Sequence, residues 1–156
     1  MAIEIGKKAP TFKAMASGDK EISLKDYEGK WLVLYFYPKD NTSGCTKEAC
    51  GFSENIKQFE KLDAEILGVS PDSVKSHDGF KAKYNLQFDL LSDPDKEIAT
   101  KYGAYGEKSM YGRKYMGIIR STFIIDPKGK VAAEYRKVKV NGHIEKVMKD
   151  LSELKK

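Results

Sequence analysis

The sequence predicts an α/β fold with a mixed central sheet flanked by helices. Three short apolar runs, Trp31–Tyr37, Glu65–Val69 and Ser121–Ile125, are continuously hydrophobic, as is typical of strands buried on both faces. A fourth run, Val131–Arg136, follows the turn sequence DPKG, so the last two runs are predicted to form a β-hairpin. Segments with helical periodicity alternate with the earlier strands, and that alternation favours the α/β class.

The predicted helices show apolar residues on one face. These residues are Phe52, Ile56, Phe59 and Leu62 in the first helix, Val74, Phe80 and Tyr84 in the second, and Ile144, Val147, Met148, Leu151 and Leu154 in the C-terminal one. A further helix is predicted to begin at Ser92-Asp93-Pro94, because Asp caps well and Pro is tolerated in a first turn, and to stop at Gly103. The β-α-β start and ββα end of this order resemble a thioredoxin-like fold.

Two other features of the chain have weaker signals. Tyr105–Gly117 is rich in Gly, Tyr and Met and has no clean period, so it is predicted to be a long loop that either covers the core or lines the reactive site. The two histidines, His77 and His143, are interpreted as surface residues at helix ends.

Length and composition restrict the classes of protein. The 156 residues suit one domain spanning 1–156, and 40% hydrophobic residues suffice for a core. The net charge is +5, but lysines are scattered among acids without a dense basic run, which argues against a nucleic-acid partner. No apolar run is long enough to span a membrane, and the first residues do not have the pattern of a signal peptide. A cytoplasmic protein without a membrane partner is therefore expected.

The only two cysteines, Cys45 and Cys50, lie five residues apart after a turn-forming cluster of Pro, Asp, Asn, Thr, Ser and Gly. Cys45 is predicted at or near a helix N-terminus, just beyond the carboxyl end of strand Trp31–Tyr37, where reaction sites of α/β sheets are often found. Free N–H groups and the helix dipole stabilise a thiolate there. Since a sulfenic acid can be captured by a nearby thiol, Cys45 is predicted to attack an oxidant and Cys50 to resolve the product.

Other interpretations of the cysteines remain open at this point. Either cysteine could be a small buried core residue. General disulfide exchange is disfavoured because the spacing is not Cys-x-x-Cys. A metal site would need further ligands, and neither His77 nor His143 has a ligand-like spacing to the cysteines. A redox-sensing or holdase-like binding protein, which forms the Cys45–Cys50 disulfide without turnover, is the alternative to an enzyme.

Arg120 is the candidate cation for such chemistry. Thiolate attack on an O–O bond pushes negative charge onto the leaving oxygen, and a permanent cation with several N–H donors stabilises both the thiolate and that charge. Arg120 immediately precedes strand Ser121–Ile125 and can reach the site if that strand neighbours Trp31–Tyr37. Glu48 could orient the arginine, although a solvated helix carboxylate is an equal alternative.

Several blocks of the sequence resemble the peroxiredoxins. Residues Pro38 to Cys45 fit the pattern P-x-x-x-[TS]-x-x-C, and the longer YFYPKDNTSGCTKEAC is similar to the peroxiredoxin Q branch, also called bacterioferritin comigratory protein. The blocks GVSPDSVKSH, LLSDPDKEIA, GEKSMYG and RSTFIIDPKGKV match the branch in order. The chain departs from the common pattern at Ser43, where Pro is usual, and at Thr11, where an acid is usual, but neither change removes a reacting group.

The resemblance implies a thiol peroxidase for hydrogen peroxide and organic hydroperoxides, without a metal or an organic cofactor. Cys45 would be the peroxidatic nucleophile, and Thr42 would offer its hydroxyl to the thiolate and the peroxide. Arg120 would supply the guanidinium, and Pro38 would shield the thiolate from water. Cys50 would be the resolving cysteine of an intramolecular disulfide that a thioredoxin-type reductant recycles. The branch is often monomeric, so a monomer is expected.

The spacing of the two cysteines predicts a conformational change. On a regular helix, residues five apart have Cα atoms separated by about 8.6 Å. A disulfide requires Cα atoms within about 7 Å, so the helix must unwind locally before Cys50 reaches Cys45. Gly44 and Gly51 bracket the segment and are expected to make that unwinding less costly.

Overall fold

The computed structural model describes residues 3–156 and has a seven-stranded mixed sheet at its centre, with strand order β2-β1-β5-β4-β3-β8-β9. The strands are β1 Lys13–Ala16, β2 Lys20–Ser23, β3 Trp31–Phe36, β4 Ala64–Ser70, β5 Asp89–Ser92, β6 Tyr105–Met110, β7 Arg113–Ile118, β8 Ser121–Ile125 and β9 Val131–Tyr135. The helices are α1 Ser43–Glu54, α2 Ile56–Lys61, α3 Val74–Tyr84, α4 Glu97–Lys101 and α5 His143–Leu154. The predicted α/β fold with a mixed central sheet is confirmed.

Strand β3 lies inside the sheet, next to the middle strand β4, and positions the site. It pairs in parallel with β4 and antiparallel with β8. Its residues alternate between two hydrophobic clusters because successive side chains of a strand point to opposite faces. Val33 and Tyr35 belong to the cluster that contains residues of α1, α2, α3 and α5, whereas Leu34 and Phe36 pack with residues of α4 and the N-terminal segment. Both faces of the sheet are therefore covered, which explains the continuous apolar run in the sequence.

The predicted helices are present, with two differences in their ends. The first is divided into α1 and α2 at Asn55, whose side-chain amide donates to the carbonyl oxygen of Gly51. The apolar spacing continues across this break and therefore does not reveal it. The predicted start of a helix at Ser92-Asp93-Pro94 is too early, because α4 begins at Glu97 after the N-cap residue Lys96. The Asp93 carboxylate nevertheless accepts hydrogen bonds from the backbone N–H groups of Ile98 and Ala99 in the first turn.

The prediction of a loop at Tyr105–Gly117 is wrong. Strands β6 and β7 form a separate antiparallel hairpin that reverses at Tyr111 and Gly112, both of which have positive φ. Most of β7 is exposed, so its sequence does not have the alternation of a half-buried strand. The short hairpin β1–β2 and strand β5 were also not predicted.

Both histidine predictions are wrong with respect to burial. His77 lies on α3 and His143 begins α5, but both side chains are buried inside the protein. Each has a polar partner inside the protein, and long-range partners of this kind cannot be inferred from helical periodicity. Among residues 3–156, no helix has the length and apolarity needed to cross a membrane.

Candidate active site

Cys45 lies in the first turn of α1, directly after the connection that follows β3. Thr42 is the N-cap residue, and its carbonyl oxygen accepts the hydrogen bond of the Thr46 N–H at 2.8 Å. The Cys45 side chain is buried, with 1% of the residue exposed, and it packs in the cluster of β3 and α1. The structure therefore places this thiol at a helix N-terminus beyond the carboxyl end of β3, where the dipole favours a negative charge.

Arg120 reaches Cys45 because β8 pairs with β3. The register places Ser121 opposite Phe36, so the residue before β8 lies beside the end of β3. Arg120 Nη2 is 3.2 Å from Cys45 Sγ and donates a hydrogen bond to it. Gly44 makes room for this guanidinium, since a Cβ atom at that position would lie 3.3 Å from Nη2. The predicted cation and the predicted nucleophile are thus in direct contact.

Glu48 holds the opposite side of the guanidinium. Arg120 Nη1 donates to Glu48 Oε1 at 2.6 Å, and the glutamate side chain is fully buried. Its second oxygen, Oε2, has no hydrogen-bond partner within residues 3–156. Burial raises the pKa of Glu48 to about 7, against the opposing effect of Arg120. Burial disfavours the charged guanidinium, but the charges of Glu48 and Cys45 outweigh it and raise the pKa of Arg120. A cation is therefore held in place between a carboxyl group and the thiol.

Thr42 and Pro38 lie on the connection between β3 and α1. The Thr42 side chain is exposed, and its hydroxyl donates to the carbonyl oxygen of Lys39 at 2.9 Å instead of to Cys45. Pro38 is half-buried and directly follows the buried Tyr37. Because a hydroxyl has one hydrogen to donate and two lone pairs, Thr42 Oγ1 keeps acceptor capacity in this arrangement.

Cys50 has a different environment on the same helix. It is half-buried and borders a cavity of about 410 Å³ between α1 and the segment 140–145. Burial and then the charge of Glu54 raise the pKa of Cys50. Both cysteines are free thiols on one continuous helix, so their Cα atoms lie about 8.6 Å apart and outside disulfide range.

A second buried imidazole lies beneath the site. His143 Nε2 is 2.8 Å from Thr122 Oγ1, and the ring packs edge-on against Phe52 and Tyr135. Burial and then Arg120 lower the pKa of His143 to about 4, with Glu145 opposing. The ring is therefore neutral at neutral pH and adds no positive charge next to Arg120.

A polar network that was not predicted from the sequence lies behind the β3–α1 connection. Asp40, Asp72 and His77 bring side-chain nitrogen and oxygen atoms within 4.8 Å of one another, which is a spacing that could hold a metal ion. These carboxylates already accept hydrogen bonds from protein groups: both oxygens of Asp40 and Oδ2 of Asp72 are engaged. The cluster is therefore interpreted as a hydrogen-bond network that protein donors hold together, instead of a metal site.

Comparisons with known proteins agree with this geometry. The model of the AhpC/TSA family matches residues 5–134. The putative peroxiredoxin bcp of Coxiella burnetii (strain RSA 493 / Nine Mile phase I) is 50% identical over 148 residues, which are 95% of this chain and 98% of the relative. The peroxiredoxin Bcp of Bacillus subtilis (strain 168) is 47% identical over 154 residues, which are 99% of this chain and 98% of the relative.

Solved structures show the same relationship. Peroxiredoxin Q of Xanthomonas campestris is 44% identical with a TM-score of 0.89, over 95% of this chain and 96% of that one. A structure of the Xanthomonas campestris bacterioferritin comigratory protein, from work on its alkyl peroxide reduction activity, is 43% identical with a TM-score of 0.92, over 98% and 100% of the two chains.

The family model matches most of the chain, and the structure has a buried cysteine at a helix N-terminus that accepts a hydrogen bond from an arginine. The chain therefore belongs to the AhpC/TSA family. Within that family its relatives are peroxiredoxins of the Bcp or peroxiredoxin Q branch. The chain is thus a peroxiredoxin, an oxidoreductase of the thiol peroxidase class, and the resemblance found in the sequence is confirmed.

Proposed function

We propose that this peroxiredoxin reduces hydrogen peroxide and organic hydroperoxides through a Cys45 sulfenic acid, which Cys50 resolves as an intramolecular disulfide and a thioredoxin-type partner reduces. The observation that carries the proposal is the 3.2 Å hydrogen bond from Arg120 Nη2 to the buried Cys45 Sγ. A thiol in contact with a permanent cation is poised to react as the thiolate, which is the nucleophilic form.

The first step is attack of the Cys45 thiolate on one peroxide oxygen. The S–O bond forms as the O–O bond breaks, so the sulfur is oxidised to sulfenic acid and the other oxygen leaves as hydroxide or alkoxide, which takes a proton from water. Arg120 is placed to stabilise both the initial and the departing negative charge. Its second nitrogen is held by Glu48, which limits how far the guanidinium can move during the reaction.

Thr42 and Pro38 shape the approach of the peroxide. With its hydrogen donated to Lys39, the Thr42 hydroxyl can accept a hydrogen bond from the O–H of the peroxide and so orient the O–O bond. Pro38 has no N–H and lies half-buried on the same connection, where the resemblance implies that its ring limits the access of water to the thiol. These two roles extend what the resemblance implied for both residues.

The second step forms the disulfide. A Cys50 thiolate attacks the sulfur of the Cys45 sulfenic acid and releases the oxygen as water once it is protonated. Because both residues lie on α1, this step requires the helix to unwind. Ile144 packs closely on Gly51, where a Cβ atom would lie 3.2 Å from the isoleucine side chain, so the contact between α1 and α5 must open as well. The disulfide is then returned to two thiols by a dithiol reductant.

One assay tests this function against a redox sensor that forms the disulfide without turnover. Peroxide consumption is measured with a thioredoxin, its reductase and NADPH present. Steady consumption over many equivalents of peroxide is expected for the peroxidase. A single stoichiometric oxidation that stops, with each thioredoxin tested, would contradict the proposal and support the sensor.

Other features remain predictions of the sequence. They are one domain over residues 1–156, a monomer, a cytoplasmic location, and the absence of a nucleic-acid or membrane partner. The even mixture of lysines with acids is the basis for the nucleic-acid prediction.

A further inference from the structure

The connection that carries Pro38 and Thr42 is fixed by a buried carboxylate. Asp40 lies between them, and its side chain is 1% exposed. Its Oδ1 accepts from the Tyr37 hydroxyl at 2.6 Å, and its Oδ2 accepts from the Ser76 hydroxyl at 2.8 Å. His77 Nδ1 lies 2.8 Å from the same Oδ2. An exposed surface connection thus has one of its side chains placed wholly inside the protein.

The partners of His77 determine where the protons lie. Its Nε2 is 3.0 Å from the carbonyl oxygen of Leu91, and a carbonyl oxygen only accepts hydrogen bonds. Nε2 therefore carries a hydrogen, and a second proton must lie between Nδ1 and Asp40 Oδ2 to make that contact favourable. Whichever of the two atoms holds this proton, the pair has no net charge, which explains how it tolerates complete burial.

The backbone of Asp40 is held from a second direction. Its N–H donates to Asp72 Oδ2 at 2.8 Å, and the Ser70 hydroxyl donates to the same oxygen at 2.6 Å. Ser70 is the last residue of β4, and Asp72 lies in the connection from β4 to α3. These hydrogen bonds therefore link the strand next to β3 with the connection that carries Pro38 and Thr42. Asn41, the next residue, is in the left-handed region with φ of +64°, a conformation that costs a non-glycine residue energy and persists where neighbours hold it.

We propose that the Asp40–His77 pair is a positioning pair for the peroxide reaction. It holds the connection at a point midway between Pro38 and Thr42, and so sets where the Thr42 acceptor and the Pro38 ring lie relative to Cys45. Neither Asp40 nor His77 touches the thiol in this arrangement; they act through the connection. The inference rests on the proposed function, because the group being positioned is the peroxide site.

Substitutions of Asp40 separate shape from charge. Asp40→Asn keeps the shape of the side chain and its hydrogen bonds without the charge. Its Oδ1 can accept from the Tyr37 hydroxyl, and its amide hydrogens can donate to the Ser76 hydroxyl oxygen and to Nδ1 of a neutral His77 ring. Asp40→Ala leaves these partners unpaired. Tyr37→Phe removes a single donor and is the milder variant if Asp40→Ala does not fold. Ser17→Ala is the matched control, since the Ser17 hydroxyl is a buried polar group that bonds Asp89 and the Leu90 N–H, outside this network.

Two reactions of Cys45 are measured in the Cys50→Ser background. One is the second-order rate constant for sulfenic acid formation with hydrogen peroxide, from quenched-flow mass spectrometry. The other is alkylation by iodoacetamide at the same pH, which needs the thiolate but not an oriented peroxide. Hydrogen exchange of residues 39–46 reports the order of the connection, and urea unfolding reports stability.

Asp40→Ala is expected to lower the peroxide rate constant about tenfold or more, while alkylation stays equal or becomes faster and exchange at residues 39–46 accelerates. Asp40→Asn is expected to retain at least about half of the peroxide rate constant, Tyr37→Phe to lie between these two, and Ser17→Ala to leave both reactions unchanged even where it lowers stability.

An unchanged peroxide rate constant in Asp40→Ala, or in Tyr37→Phe if Asp40→Ala does not fold, would overturn the proposal. So would an equal fall of the peroxide and alkylation rate constants in Asp40→Ala. A fall of the peroxide rate constant in Ser17→Ala as large as that in Asp40→Ala would also overturn it. If the Cys50→Ser protein itself reacts with peroxide no faster than a free cysteine, the proposed function fails instead. In that case, faster exchange at residues 39–46 in Asp40→Ala but not in Ser17→Ala supports the proposal that the Asp40–His77 pair holds the connection. Equal exchange in the two variants overturns that proposal.

Discussion

The two cysteines of α1 lie on one helix, yet the protein gives them opposite environments. Cys45 is buried in the first turn and accepts a hydrogen bond from the Arg120 guanidinium. Cys50 lies near the middle of the helix, half-buried, with Glu54 one turn further on and a raised pKa. The Arg120 guanidinium and the helix N-terminus beside Cys45 both stabilise a negative charge, whereas the carboxylate of Glu54 disfavours one on Cys50. The proposed roles, attack by Cys45 and resolution by Cys50, are consistent with this difference in environment.

The largest effect is expected from removing the attacking thiol. Cys45→Ser should abolish peroxide reduction, since a hydroxyl is not ionised near neutral pH and is a far weaker nucleophile. Peroxide consumption in the thioredoxin-coupled assay is the measurement. Retention of about a tenth of the wild-type rate or more would remove Cys45 from its assigned role.

Cys50→Ser should stop coupled turnover but leave the first step intact. The Cys45 sulfenic acid then has no partner on the chain and is oxidised further to sulfinic acid by excess peroxide. Mass spectrometry of the Cys45 peptide would show the added oxygens, with the Cys45→Ser protein as the control. Unchanged turnover with thioredoxin would show that Cys50 is not the resolving thiol.

Arg120→Lys should slow the reaction of Cys45 with peroxide by about 10²-fold, because a lysine cannot bond the thiol and Glu48 together through a planar fork. Arg136→Lys is the matched control: the Arg136 guanidinium also bonds a glutamate, but its second partner is a carbonyl oxygen and it lies over Phe123 after β9. Stopped-flow measurement of the second-order rate constant checks the difference. Wild-type reactivity in Arg120→Lys would place this arginine outside the reaction.

The smallest effect is expected from a change in the surroundings of Cys50. Glu54 is the second cause of the raised pKa of Cys50, after burial. Glu54→Gln should lower that pKa, so that the Cys50 thiolate is more abundant below it and the sulfenic acid decays to disulfide about two- to threefold faster near pH 7. The pH profile of disulfide formation should shift to lower pH, while Glu60→Gln at an exposed position of α2 should not shift it. An unshifted profile in Glu54→Gln would assign the raised pKa to burial alone.

The elements that form the candidate site could be predicted from the sequence. The apolar run of β3, the turn cluster before Cys45 and the arginine before β8 predicted elements that the structure brings together, because a strand buried on both faces and a helix N-terminus have strong local signals. The roles assigned to these residues remain predictions.

The remaining features depend on contacts between distant segments. Asp40 and His77 are 37 residues apart in sequence, and neither looks different from a surface residue until α3 packs behind the β3–α1 connection. The hairpin β6–β7 is mostly exposed and so lacks a hydrophobic pattern. Gly44 and Gly51, which the sequence predicts to ease unwinding, also allow Arg120 and Ile144 to approach α1 closely.

Hydrogen exchange of α1 in the two redox states tests the central claim most directly, namely that the two thiols act in sequence through a helix that opens. In the dithiol form, the amides of residues 46–52 should be protected by the intact helix. In the disulfide form, with the Cys45–Cys50 bond verified by mass, the same amides should exchange faster, while those of α3 stay unchanged. Equal protection of residues 46–52 in both forms would contradict the account.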